Sequence, residues 1–474
     1  MVPKIATLIC LALSAYLFWS DSKRDEGPSA ASWIPYCWMF LAGSRWVSSW
    51  LSLSTPMASV DAYSEGSPVD RAVFLALILA GATVLARRAL DWRRWAAANQ
   101  WLVLYLAYCL MSMAWSDEPF VLFKRWIKDL GNPIMVLVLL TERRPYAAVT
   151  AVVRRLSFLL LPLSVLFVKY YPDLGRAYHL DGAPMYTGVG HQKNDLGALC
   201  LMTGMYFSWN FFVNRAPDWK ASSIYMWQDL LLVMMMAYLL RMSDSQTSFA
   251  CLVVATGLFV LSRIPPFTRK PAAMVGTVAV AGALFAVLEM MFHVKDFVFE
   301  LLGRDSTLTS RTDLWVVVRR LESNPLVGTG FMSFWTGERM EKIWEYTGPG
   351  VNQAHNGYLE QYLNLGYIGV AFIGMLIVTA LLSVRRQLAY DAGGGMLRFA
   401  CLAVAILYNY TEASFYGISN LWVLFLLGYF TVPRHAGVAA VVAAAAAPSG
   451  PELRSLPSHR YRKPKAVPAK RPAS

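Results

Sequence analysis

The sequence predicts an all-α, polytopic integral membrane protein of about 12–13 transmembrane helices with one long outer loop. Three observations predict it. The 474 residues are 56% hydrophobic and only 15% charged, with a mean hydropathy of +0.41, whereas soluble domains run near ~25% charged. About thirteen apolar runs approach the ~20 residues that cross a bilayer. Lys and Arg also crowd into alternate loops between those runs, as the positive-inside rule demands.

In chain order the runs fall at roughly 4–19, 33–53, 71–86, 99–115, 127–141, 150–168, 195–213, 226–240, 246–262, 272–292, 356–384, 399–412 and 415–432. Each is expected to be helical, because lipid offers backbone N–H and C=O groups no partner outside their own segment. The first run lacks a small-residue cleavage site and precedes a second span, so it reads as an anchor. The run at 127–141 is weak, and a re-entrant path there gives twelve spans. Basic loops at Arg87/Arg88, Arg143/Arg144, Arg263/Lys270 and Arg385/Arg386 mark the cytoplasmic side. Thirteen spans put the N-terminus outside; twelve put both ends inside.

The net charge of +13 follows this topology and does not call for a nucleic-acid partner. All six cysteines lie in apolar runs, so neither a disulfide framework nor a metal cluster is expected. The membrane domain covers 1–432. Residues 433–474, rich in Ala, Pro, Lys and Arg, cannot bury a core and read as a disordered basic cytoplasmic tail that contacts anionic lipid. No internal repeat is visible, which disfavours a secondary transporter.

The polar segment at about 293–355 stands out between apolar runs. It carries seven Lys and Arg residues on the outer side, against the positive-inside trend, so a negatively charged partner is expected. A short helix is expected at Thr312–Ser323, with Trp315, Val316 and Val318 packing onto the membrane. Other polar residues gather on the same side: Arg45, the Lys124/Arg125/Lys128 cluster, His191 and Lys193, Arg241, Gln246 and Glu412. Ionisable groups at membrane depth face cavities or each other. Arginine binds phosphate oxygens bidentately at any relevant pH, so Arg311, Arg304, Arg241 and the 124–128 cluster are candidates for a diphosphate. Ordinary pairing with loop carboxylates or lipid headgroups is the competing reading. His355, at a loop–helix junction beside Gly357, is placed to take a proton from a hydroxyl, with neighbouring Asn356 and Glu360 expected to contact the substrate. Aromatics near the outer loops, Tyr170, Trp335 and Trp344 among them, suit either an interfacial belt or sugar stacking.

With those residues in view, the chain resembles the O-antigen ligase and Wzy-type polymerase superfamily, most of all the exopolysaccharide-production polymerases of rhizobia. Four stretches carry the likeness: Lys124–Gly131, Gly190–Gly197, Gly303–Trp315 and Ala354–Glu360. The resemblance implies a metal-independent, cofactor-free glycosyltransferase working at the periplasmic face on undecaprenyl-diphosphate-linked glycans. It implies that Arg311, in an Arg-x-x-x-Trp element with Trp315, holds the diphosphate and that His355 activates the acceptor hydroxyl. It also implies a chain-length regulator and an export complex as partners. One departure matters: ligases commonly open a span with a Ser-x-Ser-Arg-like element, where this chain has Ser243-Asp244-Ser245-Gln246. Gln246 can bond phosphate but cannot neutralise it, which favours polymerase over ligase. A lipid-linked sugar transporter and a non-catalytic scaffold are the alternatives from other classes.

Overall fold

The computed structural model describes residues 1–23, 27–52, 66–178, 182–214, 223–292, 311–321, 323–348 and 350–433. Each of the thirteen apolar runs contains helix. Six helices are long and apolar enough to cross a membrane: Val2–Ser22, Pro68–Arg87, Pro145–Tyr170, Lys193–Asn214, Gly357–Leu388 and Ala392–Thr411. A seventh span results if Trp92–Ala98 and Gln100–Trp115, bent by 88° between them, are taken together. Gln246–Leu261, Ala273–Phe285 and Asn420–Tyr429 are apolar but shorter. The chain is therefore an all-α, multi-pass membrane protein. Among the described residues its strands are Arg176–Tyr178 and Pro184–Tyr186, paired antiparallel.

Three expected runs are broken, and polar anchors break them. The run at 33–53 stops at Ala42. Beyond it Arg45 turns aside to the carbonyls of Leu174 and, at 3.4 Å, Gly190, while Asp70 takes the Ser48 amide at 2.9 Å and its hydroxyl at 2.5 Å. The run at 127–141 divides into an amphipathic helix, Pro119–Asp129, and an apolar one, Gly131–Leu140. At the join, Asp129 accepts the Gly417 amide at 2.7 Å, and Asn132 accepts the Trp38 indole at 3.0 Å. The run at 415–432 becomes helical only at Asn420, leaving Glu412–Ser419 irregular.

Helices Gly357–Leu388 and Ala392–Thr411 form an antiparallel hairpin whose turn is capped by Asp391 through the Gly394 amide at 3.0 Å. Asn420–Tyr429 packs against both. Gly366 kinks the long helix at φ +64°, a conformation open to glycine and costly to other residues. The kink lets residues 325–330 pair with it: Tyr367 donates to Pro325 and Gly330 to Asn364, at 2.9 and 2.8 Å.

Beyond that crossing the outer loop builds its own core. Helices Arg311–Arg320 and Gly337–Thr347 bury Val318, Phe334, Met340 and Ile343 completely. Each such side chain contributes about 1.5–3 kcal/mol, enough to hold two short helices together. The first helix matches the expected Thr312–Ser323 element, but its packing corrects the expectation. Val318 turns into the loop's own core, and Trp315 packs against that core. The second helix was not expected, because its residues Gly337–Thr347 include Glu338, Glu341, Lys342 and Glu345 and carry no long apolar run. The basic tail expected at 433–474 lies, past Pro433, outside the described residues.

Candidate active site

The ends of four helices meet around one histidine. Ala392–Thr411 finishes at Glu412, Gly357–Leu388 and Lys193–Trp209 begin there, and the Gln246–Leu261 start is pinned alongside by a Thr247–Thr411 hydroxyl pair at 2.7 Å. Glu412 ties them together. Its backbone carbonyl accepts the Gly357 amide at 2.9 Å, and its Oε1 accepts Asn194 Nδ2 at 2.8 Å. Its Oε2 lies 3.0 Å from His355 Nδ1. The carboxylate is 8% exposed and the imidazole 27%, so the acid is sheltered while the ring reaches the surface.

His355 sits at φ +50°, in the left-handed region. A non-glycine residue there costs roughly 1–2 kcal/mol, and such strain collects at functional sites. Three anchors hold it. Trp315 Nε1 donates to the Ala354 carbonyl at 2.7 Å, and Trp344 Nε1 to that of Val351 at 2.8 Å. Asn356 caps the next helix, taking the Tyr358 and Leu359 amides at 3.0 Å each. Gly357 must be glycine for packing: a Cβ there would stand 2.1 Å from Asn409 Oδ1. The Trp315 bond also docks the helix that begins at Arg311 onto the histidine segment.

With Nδ1–H directed at a carboxylate, the neutral ring keeps its Nε2 lone pair for a substrate proton. A cavity of about 180 Å³ adjoins the pair, walled by Gln192, Asn194, Asp195, Gln353, Glu412 and Ser414 among others.

Residues 231–374 match the O-antigen ligase family profile. The resemblance is to the O-antigen ligases. The chain is also 25% identical over 355 residues to the exopolysaccharide production protein ExoQ of Rhizobium meliloti, covering 71% of this chain and 78% of that one. Putative polysaccharide ligases of Rickettsia felis and Rickettsia bellii are 25% and 26% identical over 218 residues, 43% of this chain and 52% of theirs. The O-antigen ligase match takes in Arg241, Gln246, Arg311, Trp315, His355, Asn356 and Glu360 and stops short of Glu412.

The other candidates divide by environment. Glu360 corrects an expectation: it is fully buried and saturated, so it braces the loop instead of meeting a ligand. Its carboxylate accepts Trp335 Nε1 at 3.0 Å, the Tyr416 hydroxyl at 2.7 Å, Asn364 Nδ2 at 3.2 Å and the Ala354 amide. Arg45 grips the loop before His191 through the carbonyls already named. Arg125 holds the Met332 carbonyl, and Lys128 Nζ lies 4.7 Å from the Trp46 ring centre, so both pack the amphipathic helix; Lys124 is exposed. His191 is exposed with its amide on Asp195 at 3.0 Å, and Lys193 opens its helix half-buried. Arg241 and Gln246 are exposed, the latter donating to Asp244 at 3.0 Å. Arg304 and the Arg311 side chain lie outside the described residues. Sequence reasoning passed over Asn194, which stands between His191 and Asp195 in a stretch already singled out. Only its 2.8 Å contact with Glu412 reveals it.

Proposed function

We propose that this protein polymerises lipid-diphosphate-linked oligosaccharide repeat units into exopolysaccharide at the periplasmic face of the inner membrane. The observation that supports this most is the His355–Glu412–Asn194 chain beside a polar cavity, on a strained residue tethered to the Arg311 helix. In this reading His355 Nε2 takes the proton of an acceptor sugar hydroxyl. The hydroxyl oxygen bonds to the donor's anomeric carbon, that carbon's bond to the diphosphate oxygen breaks, and the carrier leaves as lipid diphosphate. Glu412 holds the ring's tautomer and stabilises the imidazolium that forms. Arg311 stabilises the developing charge on the diphosphate. Direct attack inverts the anomeric carbon once. The undecaprenyl carrier and a chain-length regulator with an export complex follow from the resemblance to envelope polymerases.

The test is genetic. Replacing His355 or Arg311 with Ala in the producing strain should abolish long polymer and leave single repeats on the carrier, with normal membrane insertion. Long polymer of normal length in both variants would overturn the assignment. A ligase is the second reading, favoured by the matched O-antigen ligase profile and the Rickettsia relatives. Loss of a ligase would instead leave full-length chains on the carrier lipid.

A further inference from the structure

We infer that the cavity beside Glu412 binds an uncharged, hydroxyl-rich sugar ring of the acceptor, separately from the region that holds the diphosphate. This rests on the transfer reading above and adds to it the acceptor's place. Size comes first. The cavity offers about 180 Å³, where one water needs ~15 Å³, so it has room for roughly a dozen non-hydrogen atoms, the size of a hexose.

The wall chemistry is selective. Gln353, Ser414 and Asn420 contribute amides and a hydroxyl, and Asp195 and Glu412 contribute carboxylates. Among the described residues lining it there is no lysine or arginine. Two acidic side chains and no cation repel a phosphate, which asks for fixed positive charge. Sugar hydroxyls each donate and accept, which is what an amide–hydroxyl–carboxylate wall can satisfy. One wall group also leaves capacity to pair, and another is held in place. Asn420 gives its amide to the Met39 carbonyl at 3.2 Å, while its side-chain oxygen is buried without a partner. Asp195 Oδ2 takes the His191 and Gln192 amides at 3.0 and 3.1 Å, fixing its orientation as helix cap.

Position completes the case. Glu412 belongs both to the cavity wall and to the His355 pair, so a ring seated there lies one side chain away from the base. Diphosphate is left to a region outside this cation-free wall.

The experiment measures binding, apart from turnover. The probe is the free repeat-unit oligosaccharide released from the producing strain's carrier lipid by mild acid, titrated onto full-length protein in lipid nanodiscs. Wild type and His355→Ala should both bind it, and added inorganic diphosphate should not displace it. Ala198→Phe, which fills the cavity, and Gln353→Leu, which removes a wall amide, should each weaken binding about tenfold or more. No binding to wild type, displacement by diphosphate, or unchanged affinity in Gln353→Leu and in a folded Ala198→Phe would each overturn the inference. If Ala198→Phe does not insert, Gln353→Leu decides alone. Failure of the transfer reading looks different: His355→Ala would still make long polymer, whatever the oligosaccharide does.

Discussion

The two ends of the helix bundle use charge in opposite ways. At the end remote from His355, four arginines are enclosed by protein partners, while Arg87, Arg143, Arg385 and Arg386 are exposed. Arg88 is held by the Val138 carbonyl at 2.5 Å, Thr141 at 2.6 Å and Glu142; Arg154 and Arg155 share Asp21. Arg398 closes the last helix through the Gly428 and Tyr429 carbonyls, both at 3.0 Å, and Gln387 at 2.6 Å. At the other end the central group is a half-open histidine backed by a sheltered carboxylate beside a cavity. Arg45 and Arg125 show that the His355 end also uses arginines as fasteners. Abundant basic charge therefore does not mark a site in this protein. The proposed site is marked instead by a histidine fixed from behind and open in front.

Substitutions at the two ends should separate these roles. Among the residues behind His355, Glu412→Gln should cost most in turnover, about 10²–10³-fold, because an amide N–H facing Nδ1 selects the wrong tautomer. Glu412→Asp should recover part of the rate, and both variants should keep wild-type stability, read from initial rates beside thermal melts. Arg398→Ala should do the reverse. Orphaning the Gly428 and Tyr429 carbonyls should lower stability by about 2–4 kcal/mol with turnover per folded molecule unchanged. Gly357→Ala should cost about 1–3 kcal/mol through its clash with Asn409, and should disturb the His355 segment as well. A melt that drops together with the rate is the expected pattern.

The smallest effect concerns pH. Burial would raise the Glu142 carboxyl, but the Ser29 hydroxyl and amide and the nearby Arg88 outweigh it and hold it below its ordinary value of 4.5. A lowered folded value means that the tie is fully present above pH 4.5 and is lost as pH falls through that lowered value. Thermal stability should therefore decline on acidification below 4.5 by about 1 kcal/mol, and Glu142→Gln should flatten that decline. A slope unchanged by the substitution would contradict the tie.

Much of this was legible from residue order alone. Apolar period and length reveal helices wherever lipid or core surrounds a run, and all thirteen runs hold helix. His355 stands out because a polar loop ends on it, and Trp315 because it lies one turn from Arg311. The rest depends on contacts distant in sequence, which no periodicity encodes. Glu412 lies 57 residues from His355, and Asn194 lies 218 from Glu412. Glu360 misleads for the same reason: an acid after a histidine looks like a substrate contact until Trp335 and Tyr416 close over it. The break at Arg45 likewise needs the Leu174–Gly190 loop, which the apolar pattern of 33–53 does not contain.

The most direct measurement is glycosyl transfer by purified protein in nanodiscs, with a lipid-diphosphate-linked repeat unit as donor and acceptor and His355→Ala beside wild type. A general base in the reacting chain predicts a loss of about 10³-fold or more in turnover, with donor binding and thermal stability retained. Turnover of His355→Ala within about threefold of wild type, under 1 kcal/mol of barrier, would contradict the assignment of the His355–Glu412 pair as the reactive centre.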